Sequence, residues 1–301
     1  MEPPPTAQAR GLFSLTHGVQ VYAGHHLMED AFAPHTHSFV EVVVVTAGEG
    51  EHHSSAGRHR LRVGDVMLLR PGPWHGYENC RGLDLYVCCF GAELLLRELE
   101  WMRDDPLLGH LLWTGPRSAD RNGLLALRLG ETALQECLRH LDALNTLRHA
   151  PAPQRRGDLI GHLTLFLGVL ARASAERSPN GRPGARTPPV VVRAMRLLES
   201  RYARPWTVAE LAGELHVSAG YLARQFKTAT GLPPMAYLSQ YRVETAAALL
   251  LRTDLPVGHV GREVGWPDAN LFARRFRAHA AMSPSAYRRR FTSGEGAGGV
   301  G

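Results

Sequence analysis

The chain has 301 residues, 44% hydrophobic and 21% charged, with a net charge of +6, the profile of a soluble globular protein of roughly two domains. No apolar run reaches the roughly 18 residues that span a bilayer, and the start MEPPPTAQARGLF lacks the basic-then-apolar pattern of a secretory signal, so the expected location is the cytoplasm. The four cysteines (Cys80, Cys88, Cys89, Cys137) form no C-x-x-C pair and read as reduced thiols that pack as small apolar residues.

Residues 1–17 are expected to form an N-terminal arm. Residues 18–90 read as strands. GVQVYAGHHL, FVEVVVVTAG, EGEHHSSAG, HRLRVGDVMLL and LDLYVCCFG are short, rich in Val and Leu, and punctuated by Gly and Pro. That is the pattern of a small antiparallel barrel or sandwich. In PHTHSFVE, His35 and His37 stand two apart and face one side of a strand, with Glu41 four further on. His75 follows Pro71-Gly72-Pro73-Trp74, and Tyr77 lies just beyond it. His52, His53 and His59 are expected to be solvated strand or turn residues.

From residue 91 the texture changes. AELLLRELEWMRDD, LLALRLGETALQECLRHLDALNTLR and GDLIGHLTLFLGVLARASAE carry Leu at helical intervals with charges between. Residues 91–173 therefore read as a helical region that packs on the barrel or pairs with a second copy. SAERSPNGRPGARTPP, residues 174–189, has the composition of a linker, and residues 292–301 that of a disordered tail.

Residues 190–301 carry 15 Arg and Lys against 8 Asp and Glu, leaving 19 against 20 for residues 1–189. The basic excess lies in the C-terminal third, as expected of a domain that meets a polyanion. Residues 190–291 contain a near-repeat, WTVAELAGELHVSAGYLARQFKTATGLPPMAYL and LPVGHVGREVGWPDANLFARRFRAHAAMSPSAYR. Each copy reads as a short helix (Val208 to Leu215; Val257 to Val264), a tight turn, and a second helix with Ser218 or Asp268 as N-cap. Leu222 with Phe226, and Phe272 with Phe276, lie four apart and mark the buried face. That leaves Gly220, Ala223, Arg224 and Lys227, and then Ala269, Asn270, Ala273, Arg274 and Arg277, pointing outward. Two helix-turn-helix units with Arg and Asn on their second helices suit the major groove, where Arg pairs with guanine and Asn with adenine. Arg275, Arg288, Arg289 and Arg290 suit phosphates.

This segment resembles the DNA-binding domain of the AraC/XylS family of transcription regulators, in which one long helix, here Pro234 to Leu251, joins two such units. The family's second-unit pattern appears as Val260, Gly265-Trp266, Phe272, Arg274, Phe276, Pro284 and Tyr287-Arg288, with Ala281 where the pattern has a turn glycine. The resemblance implies base contacts at Gly220, Ala223 and Arg224, then at Ala269, Asn270 and Arg274.

The N-terminal segment resembles a cupin barrel, with His35-x-His37-x-x-x-Glu41 in its first motif and Pro71-Gly72-Pro73-Trp74-His75 in its second. The resemblance implies that His35, His37, Glu41 and His75 converge inside the barrel. Such a set suits Fe, Mn, Ni, Cu or Zn, and equally the hydroxyls of a sugar with Trp74 or Tyr77 as stacking faces. A cupin ahead of this DNA-binding domain is similar to the sensor arrangement of the L-arabinose and L-rhamnose regulators. The expected fold is multidomain α+β, a cupin-like β-barrel with helices followed by an all-α double helix-turn-helix domain. The expected function is a sequence-specific transcription activator, not an enzyme and with no required cofactor. Its partners would be double-stranded DNA, a small effector such as a sugar, a second copy of itself, and RNA polymerase. The competing reading is a metal-dependent cupin enzyme, an isomerase or dioxygenase, fused to a DNA-binding domain.

Overall fold

A computed structural model describes residues 21–54, 56–117, 123–148, 155–176 and 187–292. The expected arm, the expected tail beyond Thr292 (which ends a helix), and the middle of the expected linker lie outside these residues. Seven strands form the N-terminal sheet: β1 Val21–Met28, β2 Phe32–His35, β3 Val40–Ser54, β4 Gly57–Arg62, β5 Asp65–Leu69, β6 His75–Phe90 and β7 Leu124–Arg128. Their order is β1-β6-β3-β5-β7, with β2 pairing β6 and β4 pairing β3, and every pair is antiparallel.

Strand alternation sorts the apolar residues to two faces. Val40, Val42, Val44, Tyr86, Cys88 and Phe90 face the helices, whereas Val43, Val45, Leu83, Leu85, Val87 and Cys89 line the interior. The phase of β3 reverses at Gly48, whose φ is +71° and where a Cβ would lie 2.1 Å from the Gly82 carbonyl oxygen. Only glycine fits that bulge, and the pairing register shifts on both sides of Ala47. Before the bulge odd-numbered residues point inward. After it Gly50 and His52 do.

Glu41 pairs with Cys89, and His52 with Tyr77, positions that a straight strand would hold on the order of 36 Å apart. Yet His75 Nε2 lies 3.2 Å from Glu41 Oε2, and its ring lies 5.4 Å from that of His52. The two long strands therefore coil over and bring their ends together around one chamber.

β7 corrects the expectation of an all-helical stretch after residue 91. LLALR is too short to display a helical period. Gly123 at φ +88° sets it off, and it pairs with β5 from Asp65↔Arg128 to Leu69↔Leu124. Helices α1 Glu131–Arg148 and α2 Arg156–Glu176 follow. α2 is long and apolar enough to cross a membrane by composition, but Leu163, Phe166, Leu167 and Leu170 sit in the core against the sheet.

The C-terminal part consists of α3 Pro189–Ser200, α4 Val208–Glu214, α5 Ala219–Thr230, α6 Pro234–Arg252, α7 Val257–Glu263, α8 Ala269–Ala280 and α9 Pro284–Thr292. Thr207 and Glu210 close a capping box on α4. Ser218 caps α5 through Tyr221 N, and Asp268 caps α8 through Leu271 N, which is why both helices begin where they do. The two copies of the sequence repeat are two helix-turn-helix units joined by α6. The first shares one continuous core with the sheet and α1–α2, through Leu211, Leu222, Phe226 and Tyr237. The second has its own, built on Val260, Trp266, Phe272, Phe276 and Tyr287.

Candidate effector chamber and DNA interface

His35 ends β2, Glu41 is the second residue of β3, and His75 opens β6. His37, Glu41 and His75 are buried, and one ligand atom from each lies within 4.8 Å of the others. His37 Nδ1–H donates to the Phe39 carbonyl at 2.8 Å, so Nε2 is the nitrogen left to face Glu41 Oε2, at 3.5 Å. A bare imidazole nitrogen and a carboxylate oxygen repel. The pair is stable only around positive charge or a donor: a proton on Nε2, or a group held by both. Burial alone would raise the Glu41 carboxyl, but the adjacent His37 holds it below the usual carboxylate range. Burial lowers His35 to about 4, against the opposing pull of Glu41, and also pushes His75 well down. His35 and His75 are therefore neutral beside one ionised carboxylate.

His35 and His75 rings stand 4.2 Å apart, and the Tyr77 ring lies 5.8 Å from His75. Trp74 does not join them. Its ring meets His53 at 5.8 Å, and it packs against the core of the second helix-turn-helix unit. His52 departs from the expectation of a solvated residue: it is fully buried, and burial lowers its pKa to about 3. Neither of its ring nitrogens, nor His75 Nδ1, has a hydrogen-bond partner among the described residues, while His75 Nε2 faces Glu41 Oε2 at 3.2 Å. The phase reversal at Gly48 hid His52 from the alternation rule, and only a reading of that glycine as a bulge could have found it. His53 is buried too, with Nε2 3.8 Å from Glu78, whereas His59 is exposed as expected.

On the C-terminal part, Gly220, Arg224 and Lys227 of α5 are exposed and Ala223 half-buried. Ala269, Asn270, Arg274, Arg275 and Arg277 of α8 are all exposed. No ion pair engages these arginines or Lys227 among the described residues, so their charge is available to a polyanion. Arg288, expected on phosphate, instead donates to the Leu250 and Leu255 carbonyls at 3.2 and 2.7 Å and ties α9 to the end of α6. Arg289 is exposed, and the Arg290 side chain lies outside the described residues. Sequence reasoning also missed Arg242 of α6. It donates to the Tyr202, Arg204 and Gly265 carbonyls at 2.7, 2.7 and 3.2 Å, holding the two units together.

The family description "Helix-turn-helix domain" matches residues 211–290, and "AraC-like ligand binding domain" matches residues 17–141. The HTH-type transcriptional activator RhaR of Pectobacterium carotovorum subsp. carotovorum (strain PC1) is 29% identical over 290 residues, 96% of each chain. RhaR of Shigella flexneri serotype 5b (strain 8401) is 26% identical over 263 residues, 86% of this chain and 88% of that one. Among solved structures, ToxT from Vibrio cholerae superposes with a TM-score of 0.55 at 12% identity, covering 90% of this chain and 99% of that one. That likeness concerns the fold alone.

Proposed function

The chain belongs to the AraC/XylS family of DNA-binding transcription regulators and responds to a small-molecule effector, and from that premise we propose that the effector binds in the chamber around His37, Glu41 and His75. One observation carries this: His37 Nε2, Glu41 Oε2 and both ring nitrogens of His52 are buried with no hydrogen-bond partner among the described residues. His75 adds an unpartnered Nδ1, its Nε2 facing Glu41 at 3.2 Å. Each neutral imidazole offers one N–H donor and one acceptor nitrogen beside the carboxylate, a mixed lining that favours a ligand rich in hydroxyls, a sugar or related polyol, with Tyr77 as a face for its ring.

A second reading has its own support. A divalent metal would be held by His37 Nε2, Glu41 Oε2 and His75, with His35 beside them. The Nδ1–H bond from His37 to the Phe39 carbonyl is the kind of outer contact that orients a metal-bound imidazole. Such an ion would supply a positive centre for an effector oxygen. We further infer a cytoplasmic homodimer, paired through α1 and α2, that activates transcription by contact with RNA polymerase. The activators among its relatives support the sign, and the exposed Leu165 on α2 supports the pairing face.

The test is thermal unfolding of the full chain with pentoses, deoxyhexoses, and zinc, nickel or manganese, each with and without chelator. A ligand at 100 times its Kd stabilises by about 2.7 kcal/mol. A sugar shift that survives chelator is the expected result, and a shift that needs the metal favours the second reading. No shift with any of them, or one that persists in His37→Phe, would place the effector elsewhere. Light scattering across a concentration series tests the dimer.

A further inference from the structure

The two reading heads are attached to the sensor in different ways. The first is built into it: Leu222 and Phe226 share a core with Val42 and Val44 of the sheet. Arg103 and Arg117 from the sensor also reach Glu199 of α3. The second head touches the sensor through a small seam, apolar at Trp74 and otherwise polar, and that seam lies on the chamber's own frame.

Thr36, fully buried, stands between His35 and His37. Its Oγ1 is 2.9 Å from the Tyr287 hydroxyl of α9. The Tyr287 hydroxyl donates to the Gly72 carbonyl at 3.0 Å, and the single Thr36 hydroxyl proton is shared between the Tyr287 oxygen and the Gly72 and Pro73 carbonyls, the last two at 3.1 and 3.3 Å. Gly72 N–H donates in turn to the His37 carbonyl at 3.2 Å, and His75 follows three residues later. Gly72 has φ +104°, and a Cβ there would lie 3.3 Å from that of Ala247 on α6. Next to this, Arg252 at the end of α6 donates to Ser38 Oγ and O at 3.1 and 3.0 Å. The two backbone segments that carry His35, His37 and His75 are thus the segments on which the second head rests.

We propose that Thr36 and Tyr287 pass chamber occupancy to the second helix-turn-helix unit, while the first unit stays fixed to the sensor. A ligand drawing His37 and His75 together moves Thr36 and Gly72, and the shared hydroxyl cannot follow both without moving α9. The second head is held on its other side by Arg242 at the Gly265 carbonyl, so the expected motion is a tilt of one reading head relative to the other. A ligand produces this only by favouring one of the two arrangements. The transmission step rests on the chamber being the effector site. The bridge itself does not.

Hydrogen exchange on the full chain separates the two. Without ligand, Tyr287→Phe should speed exchange at residues 34–38 and 71–74 at least tenfold and leave residues 208–230 unchanged. If only residues 257–292 respond, the hydroxyl serves its own unit and the bridge is refuted. Thr36→Val, made on the sensor side and leaving the Tyr287 core intact, should speed exchange at 284–292; no change there refutes it equally. With zinc or L-rhamnose as probe, wild type should change at both 34–38 and 257–292, and Tyr287→Phe at 34–38 alone. A probe response at 257–292 that survives Tyr287→Phe overturns the transmission role. No response at 34–38 to either probe counts against the chamber and the transmission role together, while the ligand-free arm still judges the bridge.

Discussion

Arg117 grips Glu244 with two hydrogen bonds, Nε to Oε1 at 3.1 Å and Nη2 to Oε2 at 2.8 Å, both residues fully enclosed. Arg70 adds a third at 3.2 Å. Burial alone would raise the Glu244 carboxyl, yet Arg117 and Arg70 hold it at about 2. Arg117 also donates to the Tyr237 hydroxyl at 2.7 Å, and Tyr237 hydrogen-bonds Glu199. A sensor arginine is therefore the hub that fixes α3 and α6. Glu244→Gln keeps the shape and removes the charge, leaving Arg70 buried without a carboxylate partner and Arg117 with Glu199 alone. The expected loss is about 3–5 kcal/mol, read from urea unfolding of the full chain. A loss below about 1 kcal/mol would mean that water reaches the cluster.

The exposed faces of α5 and α8 carry the sequence reading. Arg224→Ala and Arg274→Ala should each cost about 1–3 kcal/mol of specific binding, at half-sites roughly one helical turn apart. The check is fluorescence anisotropy on duplexes selected from a random library. Arg288→Ala should instead lower stability, because its partners are the Leu250 and Leu255 carbonyls. If both reading-face variants bind selected DNA as wild type does, the face is wrongly assigned.

Much of the C-terminal part was legible because helix caps and four-residue spacing are local signals. Ser218, Asp268 and the Leu222–Phe226 and Phe272–Phe276 pairs needed no knowledge of the rest of the chain. The chamber was legible in part. His35, His37, Glu41 and His75 were readable from strand alternation and resemblance, but His52 lay beyond a bulge that reverses the alternation, and LLALR carried too few residues to declare itself a strand. The seam between the domains was not legible at all. Thr36 with Tyr287, and Arg117 with Glu244, meet across 251 and 127 residues, and no periodicity reports a contact at that range. Trp74 shows the cost: its place beside His75 marked it for the chamber, whereas the fold turns it toward the second reading head.

Acid should weaken the fold, chiefly through the buried histidines of the sensor. Burial, opposed by Glu41, holds His35 at about 4, and burial together with His59 holds His52 at about 3, against about 6.5 in the unfolded chain. Below pH ~6.5 the unfolded chain binds protons that the folded one refuses, so stability is complete above that value and falls as pH drops. By pH ~4, His35 alone should account for roughly 3 kcal/mol. Urea midpoints at pH 7.5 and pH 5 should differ in wild type and differ less in His52→Phe. Equal differences would remove His52 from the acid response.

The turns that close α5 and α8 offer a paired test of backbone strain. Gly231 closes α5 at φ 77°, ψ −10°, and its N–H donates to the Lys227 carbonyl at 2.8 Å. Ala281 closes α8 at φ 58°, ψ 6°, where an L side chain crowds the following carbonyl. Both turns lead into a proline-started helix, α6 or α9, so the second cannot relax without moving Tyr287. Ala281→Gly should therefore stabilise by about 1 kcal/mol, and Gly231→Ala should destabilise by a similar amount. The swap variant carrying both should lie close to wild type, because the two turns belong to separate cores. Urea unfolding of the three variants settles it: a neutral or destabilising Ala281→Gly would mean that the turn gains more from the stiffness of alanine in the unfolded chain than it loses to the left-handed backbone.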